Sequence, residues 1–318
     1  MRFSRSALLL LLSAALFSCG VIPAATPAQA QAPAVINLIQ LPADNSAEVY
    51  YAQDLGFFKE AGLDVRITSM TNSGAIIAAL AGGAGDIGNT VIGSAAQARE
   101  KGIRVRFIAP AGLYVDSAPT SALVVPKDSP VKSAADLKGK TIAVSGLNDL
   151  TYYATRAWID KNGGNSAASK YVELPFPAMA AALQQHRIDA AYTIEPFLTA
   201  SRNDFRILGK AGGGVAPRYQ ATGWLATENW IDSHADLALR FAAVIRKTAI
   251  WANSHHKESA AILLKYTHIP PEVAEKMTRV EYSLTLQPAL LQPPIDVAAK
   301  YGGEKAIPAD ELIWAPAK

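Results

Sequence analysis

The chain has 318 residues, of which 50% are hydrophobic and 18% are charged. This composition is typical of a globular protein with one or two domains and excludes a disordered chain. The formal charge of +3 counts 30 basic residues, and removing Arg2 and Arg5 of the N-terminal leader leaves 28 against 27 acidic residues. Because the remaining basic residues are scattered, we expect no nucleic-acid partner.

The N-terminal leader resembles an export signal. Arg2 and Arg5 precede an apolar run at 7–17 that is too short to span a bilayer. The small residues around position 30 predict a signal peptide at 1–30 and a soluble periplasmic product. The sequence that ends at Cys19 resembles a bacterial lipobox, so anchoring through a lipidated Cys19 is the alternative. Cys19 is the only cysteine, which leaves the body without a disulfide, a cysteine-ligated metal or a thiol nucleophile.

Strand and helix patterns alternate through the first third of the chain. Each predicted helix follows a polar residue that can cap its first turn, such as Asn45, Asn72 and Asn89. In chain order, the predicted elements are a strand at 35–41, a helix from 45 to about 62, a strand at 65–69, a helix at 74–81, a strand at 86–88, a helix from 89 or 90 to 101 and a strand at 105–109.

The same alternation continues to about residue 227, and the remainder is predicted to be helical. Alternating strands and helices predict parallel sheets with helices on both faces, an α/β fold. The predicted strands are 122–125, 141–145, 171–174, 188–192, 205–208 and 223–227, with helices at 150–161, 177–186, 196–201 and 235–253 and later helices interrupted at Pro270-Pro271 and Pro293-Pro294.

The order of these elements predicts two lobes. Residues 34–120 together with 225–318 would form lobe 1, and residues 121–224 would form lobe 2. The chain would cross between them twice, near 121–125 and 221–225. Two lobes joined by two crossing strands can close around a ligand.

Four groups of residues resemble one protein family. They occur in the order and at the spacing found in periplasmic solute-binding proteins of ABC importers, in the group that binds nitrate, taurine, alkanesulfonates and thiamine precursors. The resemblance implies a two-lobed periplasmic-binding-protein fold of type II, with one small ligand in the cleft. It also implies delivery to a membrane permease, no catalysis, no cofactor and no metal. The matching groups are Gly56–Val65, Gly85–Gly88, Val125–Pro130 with Asp136–Val144, and Arg187–Ala190 with Glu195–Phe197.

In this fold, ligands lie at the carboxyl ends of strands and the N-termini of helices. Free N–H groups at a helix N-terminus attract anions without any Lys or Arg. The alternative interpretation of each such stretch is ordinary helix capping. The candidate residues of this kind are Asn72, Ser73 and Gly74, then Asn89 and Thr90, then Gly146, Asn148 and Asp149.

Five further side chains are candidates for ligand contact. Gln40 and Asp44 follow the first strand and would border the cleft, or else lie in a solvated loop. Tyr192 and Trp224 would be aromatic walls, although such residues more often belong to the core. Glu195 is held by Pro196 at a strand-to-helix junction, where it either charges the helix N-terminus or contacts the ligand. If Glu195 faces the cleft, the ligand carries a hydrogen-bond donor or a positive charge.

Two other functions remain open from the sequence. Some relatives of the wider fold synthesise the thiamine pyrimidine, using a lysine-bound pyridoxal phosphate and a cysteine-rich motif. The cysteine-free body argues against this enzyme. A lipid-anchored sensory domain is the third interpretation. For the leading interpretation we expect a monomer whose partners are a small-molecule ligand and a permease.

Overall fold

The structure is a computed structural model that describes residues 32–267 and 269–316. The predicted signal peptide and Cys19 lie outside the described residues. Within the described ranges, no helix has both the length and the apolar character that crossing a membrane requires.

Strands and helices alternate over the described part of the chain, as the sequence predicts. The strands are β1 (Ala34–Gln40), β2 (Leu63–Ser69), β3 (Ile87–Val91), β4 (Val105–Pro110), β5 (Gly112–Val115), β6 (Ser121–Pro126), β7 (Thr141–Val144), β8 (Lys170–Glu173), β9 (Ala190–Ile194), β10 (Phe205–Gly209), β11 (Arg218–Gln220), β12 (Thr222–Thr227) and β13 (Glu281–Tyr282). The helices are α1 (Glu48–Asp54), α2 (Phe57–Glu60), α3 (Ser73–Ala81), α4 (Ile92–Glu100), α5 (Leu150–Lys161), α6 (Phe176–Gln184), α7 (Phe197–Ala200), α8 (Glu228–Ser233), α9 (Ala235–Ala252), α10 (His256–Tyr266), α11 (Pro271–Lys276) and α12 (Pro288–Gly302).

Two five-stranded sheets share one topology. The first sheet has the order β2-β1-β3-β12-β4, and the second has the order β8-β7-β9-β6-β10. In each sheet the first three strands are parallel and the fourth is antiparallel to its neighbours. This arrangement confirms the predicted two-lobed α/β fold. The lobe boundaries at 120/121 and 224/225 stay predictions.

Helices cover both faces of the first sheet, so its central strands are buried without regard to alternation. Ile36 and Leu38 of β1 point to one face of the sheet and Ile39 points to the other, yet all three are buried. The amphipathic helix α9 buries Phe241 and Ile245 against this sheet, at the four-residue spacing of one helix face. Burial of this kind, more than local propensity, is what holds the strand ends in place.

Helix α12 packs against α4, which lies on the first sheet, and against α5, which lies on the second sheet. The prediction that Pro293-Pro294 interrupts this helix is wrong, because both prolines lie inside α12. Leu291, Pro294 and Ile295 are buried, and this packing offsets the backbone hydrogen bonds that the prolines cannot donate. The helix thereby connects elements of both sheets.

Two predicted helix caps also differ in the structure. Asn89 and Thr90 belong to strand β3, which continues to Val91 because β12 pairs with it through that residue. The cap position of α1 is Ala47, with no side-chain hydrogen bond, so the prediction of an Asn45 cap is wrong.

The packing of α12 on α4 can be tested with two matched glycines. Gly93 and Gly74 are each the second residue of a nine-residue helix. An added Cβ at Gly93 would lie 2.8 Å from the Ala298 Cβ and 2.9 Å from the Pro294 carbonyl oxygen, whereas at Gly74 the nearest atom is the Asn72 Oδ1 at 3.5 Å. We expect Gly93→Ala to lower the free energy of unfolding by about 1–3 kcal/mol.

Gly74→Ala should leave that free energy unchanged or raise it by up to about 1 kcal/mol, because alanine is the better helix former. Urea unfolding followed by circular dichroism measures both variants. Equal effects of the two substitutions would contradict the close approach of α12 to α4.

Candidate ligand site

A cavity of about 70 Å³ is lined by residues from both sheets. One buried water occupies roughly 10–15 Å³ of such a cavity volume. The cavity is therefore large enough for a small solute. It lies where β9 of the second sheet ends, and the first turns of α3 and α5 border it. The lining residues are Leu41, Asp44, Asn45, Ser73, Ile76, Asn89, Thr90, Val91, Leu113, Tyr114, Thr120, Ser121, Ser145, Asp149, Leu150, Thr151, Phe176, Tyr192, Ile194, Glu195, Tyr219, Ala221, Thr222 and Val280.

The structure brings seven of the thirteen candidate residues together around this cavity. Their contact with a ligand stays a prediction. The seven that line the cavity are Asp44, Ser73, Asn89, Thr90, Asp149, Tyr192 and Glu195. The six that do not are Gln40, Asn72, Gly74, Gly146, Asn148 and Trp224.

Two of these six residues make hydrogen bonds that explain their position, and a third is buried. Trp224 is fully buried, and its indole N–H donates to the Glu48 carboxylate at 3.0 Å. Gln40 is fully buried at the end of β1. The Asn72 side chain accepts a hydrogen bond from the Ala75 N–H at 2.9 Å, which is the capping alternative.

The other three lie in backbone that surrounds the cavity. Gly74 is the second residue of α3, and Gly146 and Asn148 belong to the loop before α5. The Asn148 carbonyl accepts a hydrogen bond from the Ser94 hydroxyl of α4 at 2.7 Å. This bond joins the second sheet's loop to a helix of the first sheet.

Asp44 is neutralised by a buried arginine that the sequence did not indicate. The Arg279 guanidinium donates to the Asp44 carboxylate, with Nη2 3.0 Å from Oδ1. Both side chains are buried, 9% and 2% exposed. Burial acts to lower the pKa of Arg279, but the Asp44 carboxylate holds it above its ordinary value. The alternative of a solvated loop is therefore wrong for Asp44, because its side chain is buried in this pair. Its contact with a ligand stays a prediction.

Glu195 caps α7 and lines the cavity at the same time. Its carboxylate accepts from the Thr199 N–H at 3.1 Å and from the Thr199 hydroxyl at 2.9 Å. It also accepts from the Thr278 N–H at 3.2 Å. Burial raises the pKa of Glu195, while the Thr199 and Thr278 donors act in the opposite direction. A carboxylate offers about four acceptor positions, so these three donors leave about one position without a partner among the described residues.

A short segment of the chain connects the two carboxylates. Thr278–Val280, which we call the bridging segment, donates the Thr278 N–H to Glu195 and the Val280 N–H to Asp44 at 2.9 Å. Asp44 follows β1 of the first sheet, and Glu195 follows β9 of the second. The bridging segment therefore spans from one sheet to the other beside the cavity.

Asp149 is buried at the N-terminus of α5. Burial raises the pKa of its carboxyl to about 6. The N–H groups of Leu150, Ser73 and Thr151 and the Ser145 hydroxyl lie near this carboxylate and oppose that rise. Ser73 is the first residue of α3, so two helix N-termini approach one carboxylate.

Several polar atoms around the cavity are buried without a hydrogen-bond partner in the described structure. They are the amide nitrogen of Asn89, the hydroxyl of Thr90 and the hydroxyl of Tyr219. Tyr219 stacks on Tyr114, with ring centroids 5.1 Å apart. Because a buried polar group without a partner is costly, these atoms are positioned to bind a polar ligand or ordered water.

The charge around the cavity is unbalanced. No described residue of its lining is Lys or Arg, and among the described residues neither Asp149 nor Glu195 forms an ion pair. Asp44 alone has its guanidinium. Within the described ranges, the cavity included, no group of three or more His, Cys, Asp or Glu residues is arranged to hold a metal ion.

Comparison with known proteins identifies the family. Residues 43–259, which include every lining carboxylate, match the family model described as NMT1/THI5 like. The chain belongs to the NMT1/THI5-like family. The resemblance stated from the sequence motifs is thereby confirmed.

The relatives of this NMT1/THI5-like chain are binding proteins. It is 29% identical over 230 residues to the taurine-binding periplasmic protein of Escherichia coli (strain K12), covering 71% of this chain and 67% of the relative. A ligand-binding component of an ABC-type import system from Staphylococcus aureus, solved with zinc bound, matches with a TM-score of 0.77 at 18% identity, covering 88% and 96% of the two chains. The alkanesulfonate-binding protein SsuA from Xanthomonas axonopodis pv. citri, bound to MOPS, matches with a TM-score of 0.74 at 16% identity, covering 89% and 98%. The two structures support the two-lobed fold.

Sequence reasoning missed residues that come from short elements. Tyr114 and Tyr219 lie on β5 and β11, which pair with each other in a small third sheet with β13. Val280 belongs to a part of the chain that was expected to be helical but is extended before β13. Strands of two to four residues show too little alternation to be recognised. The one available signal was the aromatic residue in each short strand.

The Asp44–Arg279 pair should contribute strongly to stability. Arg279→Met removes the guanidinium and leaves a buried carboxylate unpaired, so we expect a loss of about 3–5 kcal/mol in the free energy of unfolding. The matched control is Arg218→Met, because Arg218 pairs with Glu281 at the surface, where the side chains are 44% and 47% exposed. That control should cost less than about 1 kcal/mol. Similar losses in urea unfolding of the two variants would show that the buried pair has no special role.

The raised pKa of Asp149 predicts a pH dependence of stability. The pKa of the unfolded carboxyl is near 3.8, the ordinary value for an aspartate, and burial raises the pKa of the folded one to about 6. The unfolded state thus loses its proton first, and wild-type stability falls as the pH rises through this window. Asp149→Asn removes the titration, so its stability relative to the wild type should grow by about 2–3 kcal/mol between pH 4 and pH 7. A difference that does not vary with pH would contradict the burial of an ionised Asp149.

Proposed function

We propose that this chain is the solute-binding component of an ABC importer, which captures one small solute in the cavity and delivers it to a membrane permease. Membership of the NMT1/THI5-like family supports this, as does the likeness to the taurine-binding periplasmic protein. The observation that carries the proposal is the cavity itself. It is small, it is lined from both sheets, and it contains buried polar atoms without partners in the described structure.

The charge around the cavity narrows the class of ligand. The candidates are a sulfonate, taurine, nitrate or a pyrimidine-like solute. A sulfonate or nitrate without a donor would meet Asp149 and Glu195 with no cation in the lining to offset the repulsion. An ammonium group or a ring N–H would instead donate to these carboxylates. We therefore favour a taurine-like amine or a pyrimidine over a simple anion.

The remaining lining suits such a ligand. Tyr114, Tyr192 and Tyr219 place aromatic rings around the cavity, and aromatic faces bind cations and planar rings. The Asn89 amide can donate to a ligand oxygen or ring nitrogen. Glu195 keeps one acceptor position free in spite of its role as a helix cap, and we assign that position to the ligand's donor.

Several further expectations belong to this proposal. The chain is exported by its leader, with cleavage after residue 30 and lipidation of Cys19 as the alternative. Mass spectrometry of the mature N-terminus distinguishes the two. The lobes are 34–120 with 225–318, and 121–224, and the protein acts as a monomer without catalysis. The thiamine-pyrimidine synthase and the lipid-anchored sensory domain remain the alternatives, but the relatives described above are binding proteins.

A thermal-shift screen tests the proposal. Purified protein, stripped of ligand by unfolding and refolding, is heated with taurine, alkanesulfonates, nitrate, bicarbonate, pyrimidines and aromatic acids. A ligand at 100 times its dissociation constant stabilises by about 2.7 kcal/mol, which raises the melting temperature visibly. If none of these solutes raises it, the binding function is wrong.

Replacing the Glu195 carboxylate tests the favoured class of ligand. We expect Glu195→Gln to weaken an amine or pyrimidine ligand at least tenfold, about 1.4 kcal/mol, because the amide loses the charge and one acceptor oxygen. Isothermal titration calorimetry with the best ligand of the screen gives both affinities. The matched control is Glu60→Gln, which alters a surface carboxylate that is 62% exposed and pairs with Lys247. Unchanged affinity in Glu195→Gln would restrict Glu195 to capping α7.

A further inference from the structure

Two helix N-termini meet beside the cavity, and a side chain of the protein already lies between them. Helix α3 begins at Ser73 and α5 begins at Leu150, and both residues line the cavity. Each N-terminus presents free N–H groups and partial positive charge, which together form an anion-binding position. The buried hydroxyl of Thr90 and amide of Asn89, which have no partner in the described structure, line the same cavity.

We propose that Asp149 fills this anion position with its own carboxylate and thereby makes the site reject simple anions, including sulfonates that carry no hydrogen-bond donor. The inference rests on the proposed function, since it states how the same cavity selects its solute. Asp149 is the residue before α5, and 6% of its surface is exposed. It directly precedes Leu150 and Thr151 of α5 and lines the cavity together with Ser73 of α3, so its carboxylate lies near the N–H groups of all three.

Hydrogen bonds between neighbouring residues stabilise the loop that carries Asp149. The Thr151 hydroxyl bonds to the Ser145 N–H at 3.0 Å and to the Ser145 hydroxyl at 2.9 Å. These bonds fix the loop between β7 and α5 around Asp149. Gly146 leaves room for the side chain, because a Cβ at that position would lie 3.3 Å from the Asp149 Cβ. A sulfonate without a donor would compete for the same N–H groups and would be repelled by the Asp149 carboxylate.

Removing this carboxylate should convert the position into an anion site. Asp149→Asn and Asp149→Ser both keep a residue that caps helices well, so α5 can form in each. The serine is shorter and leaves the N–H groups free. We expect each variant to bind methanesulfonate at least tenfold more tightly than the wild type in calorimetry at constant ionic strength.

Asp236→Asn is the matched control for a general loss of negative charge. Asp236 lies in the first turn of α9, its side chain is 73% exposed, and it does not line the cavity. We expect its gain for methanesulfonate to stay below threefold. No gain in either Asp149 variant, with folding confirmed by circular dichroism, would overturn the proposal, as would an equal gain in Asp236→Asn.

The methanesulfonate comparison tests the role of Asp149 separately from the proposed function. Methanesulfonate is compared between variants and wild type, so the comparison does not need the natural ligand. Amines and pyrimidines that fail to bind the wild type would count against the proposed function alone. A wild type that already binds methanesulfonate as tightly as the variants would overturn the exclusion by Asp149.

Discussion

Three carboxylates are buried around one small cavity, and among the described residues only Asp44 of these three forms an ion pair. Arg279 offsets the charge of Asp44, and the Val280 N–H donates to the same carboxylate. Asp149 and Glu195 form no ion pair in the described part of the chain, and burial raises the pKa of each, while nearby donors and, for Glu195, the charge of Arg202 act in the opposite direction. The site therefore carries negative charge that a ligand with a donor can use. The excess of carboxylates over cations around the cavity, more than its shape, determines which candidate solutes we expect to bind.

The same residues connect the two halves of the fold. The bridging segment joins Asp44 to Glu195 through its backbone, and Ser94 of α4 donates to the loop that carries Asp149. Helix α12 adds a contact with both α4 and α5. In a protein that closes around its ligand, such cross-contacts stabilise the closed arrangement. A ligand that donates a hydrogen bond to Glu195 would therefore bind a carboxylate that already takes part in a contact between the two sheets.

The fold was predictable from the sequence to a large extent, and the site only in part. Helix α5 begins and ends where the pattern predicts, because long periodic segments give a strong signal. Strand β9 lies two residues later than expected, yet Glu195 still falls at its carboxyl end. Trp224 was expected at the cavity, but sequence cannot tell which face of a buried strand points to a site. Arg279 was missed because its partner Asp44 is 235 residues away along the chain.

The central claim is that the site selects a solute with an N–H donor or a positive charge. The most direct test is calorimetric titration of the wild type with pairs of compounds in which the amino group is present or is replaced by a group without a donor, such as taurine and ethanesulfonate, or an aminopyrimidine and its methyl analogue. The account predicts that the binding compounds are the amino members and that each analogue without the donor binds at least tenfold more weakly. An analogue without the donor that binds as tightly as its amino partner would contradict it.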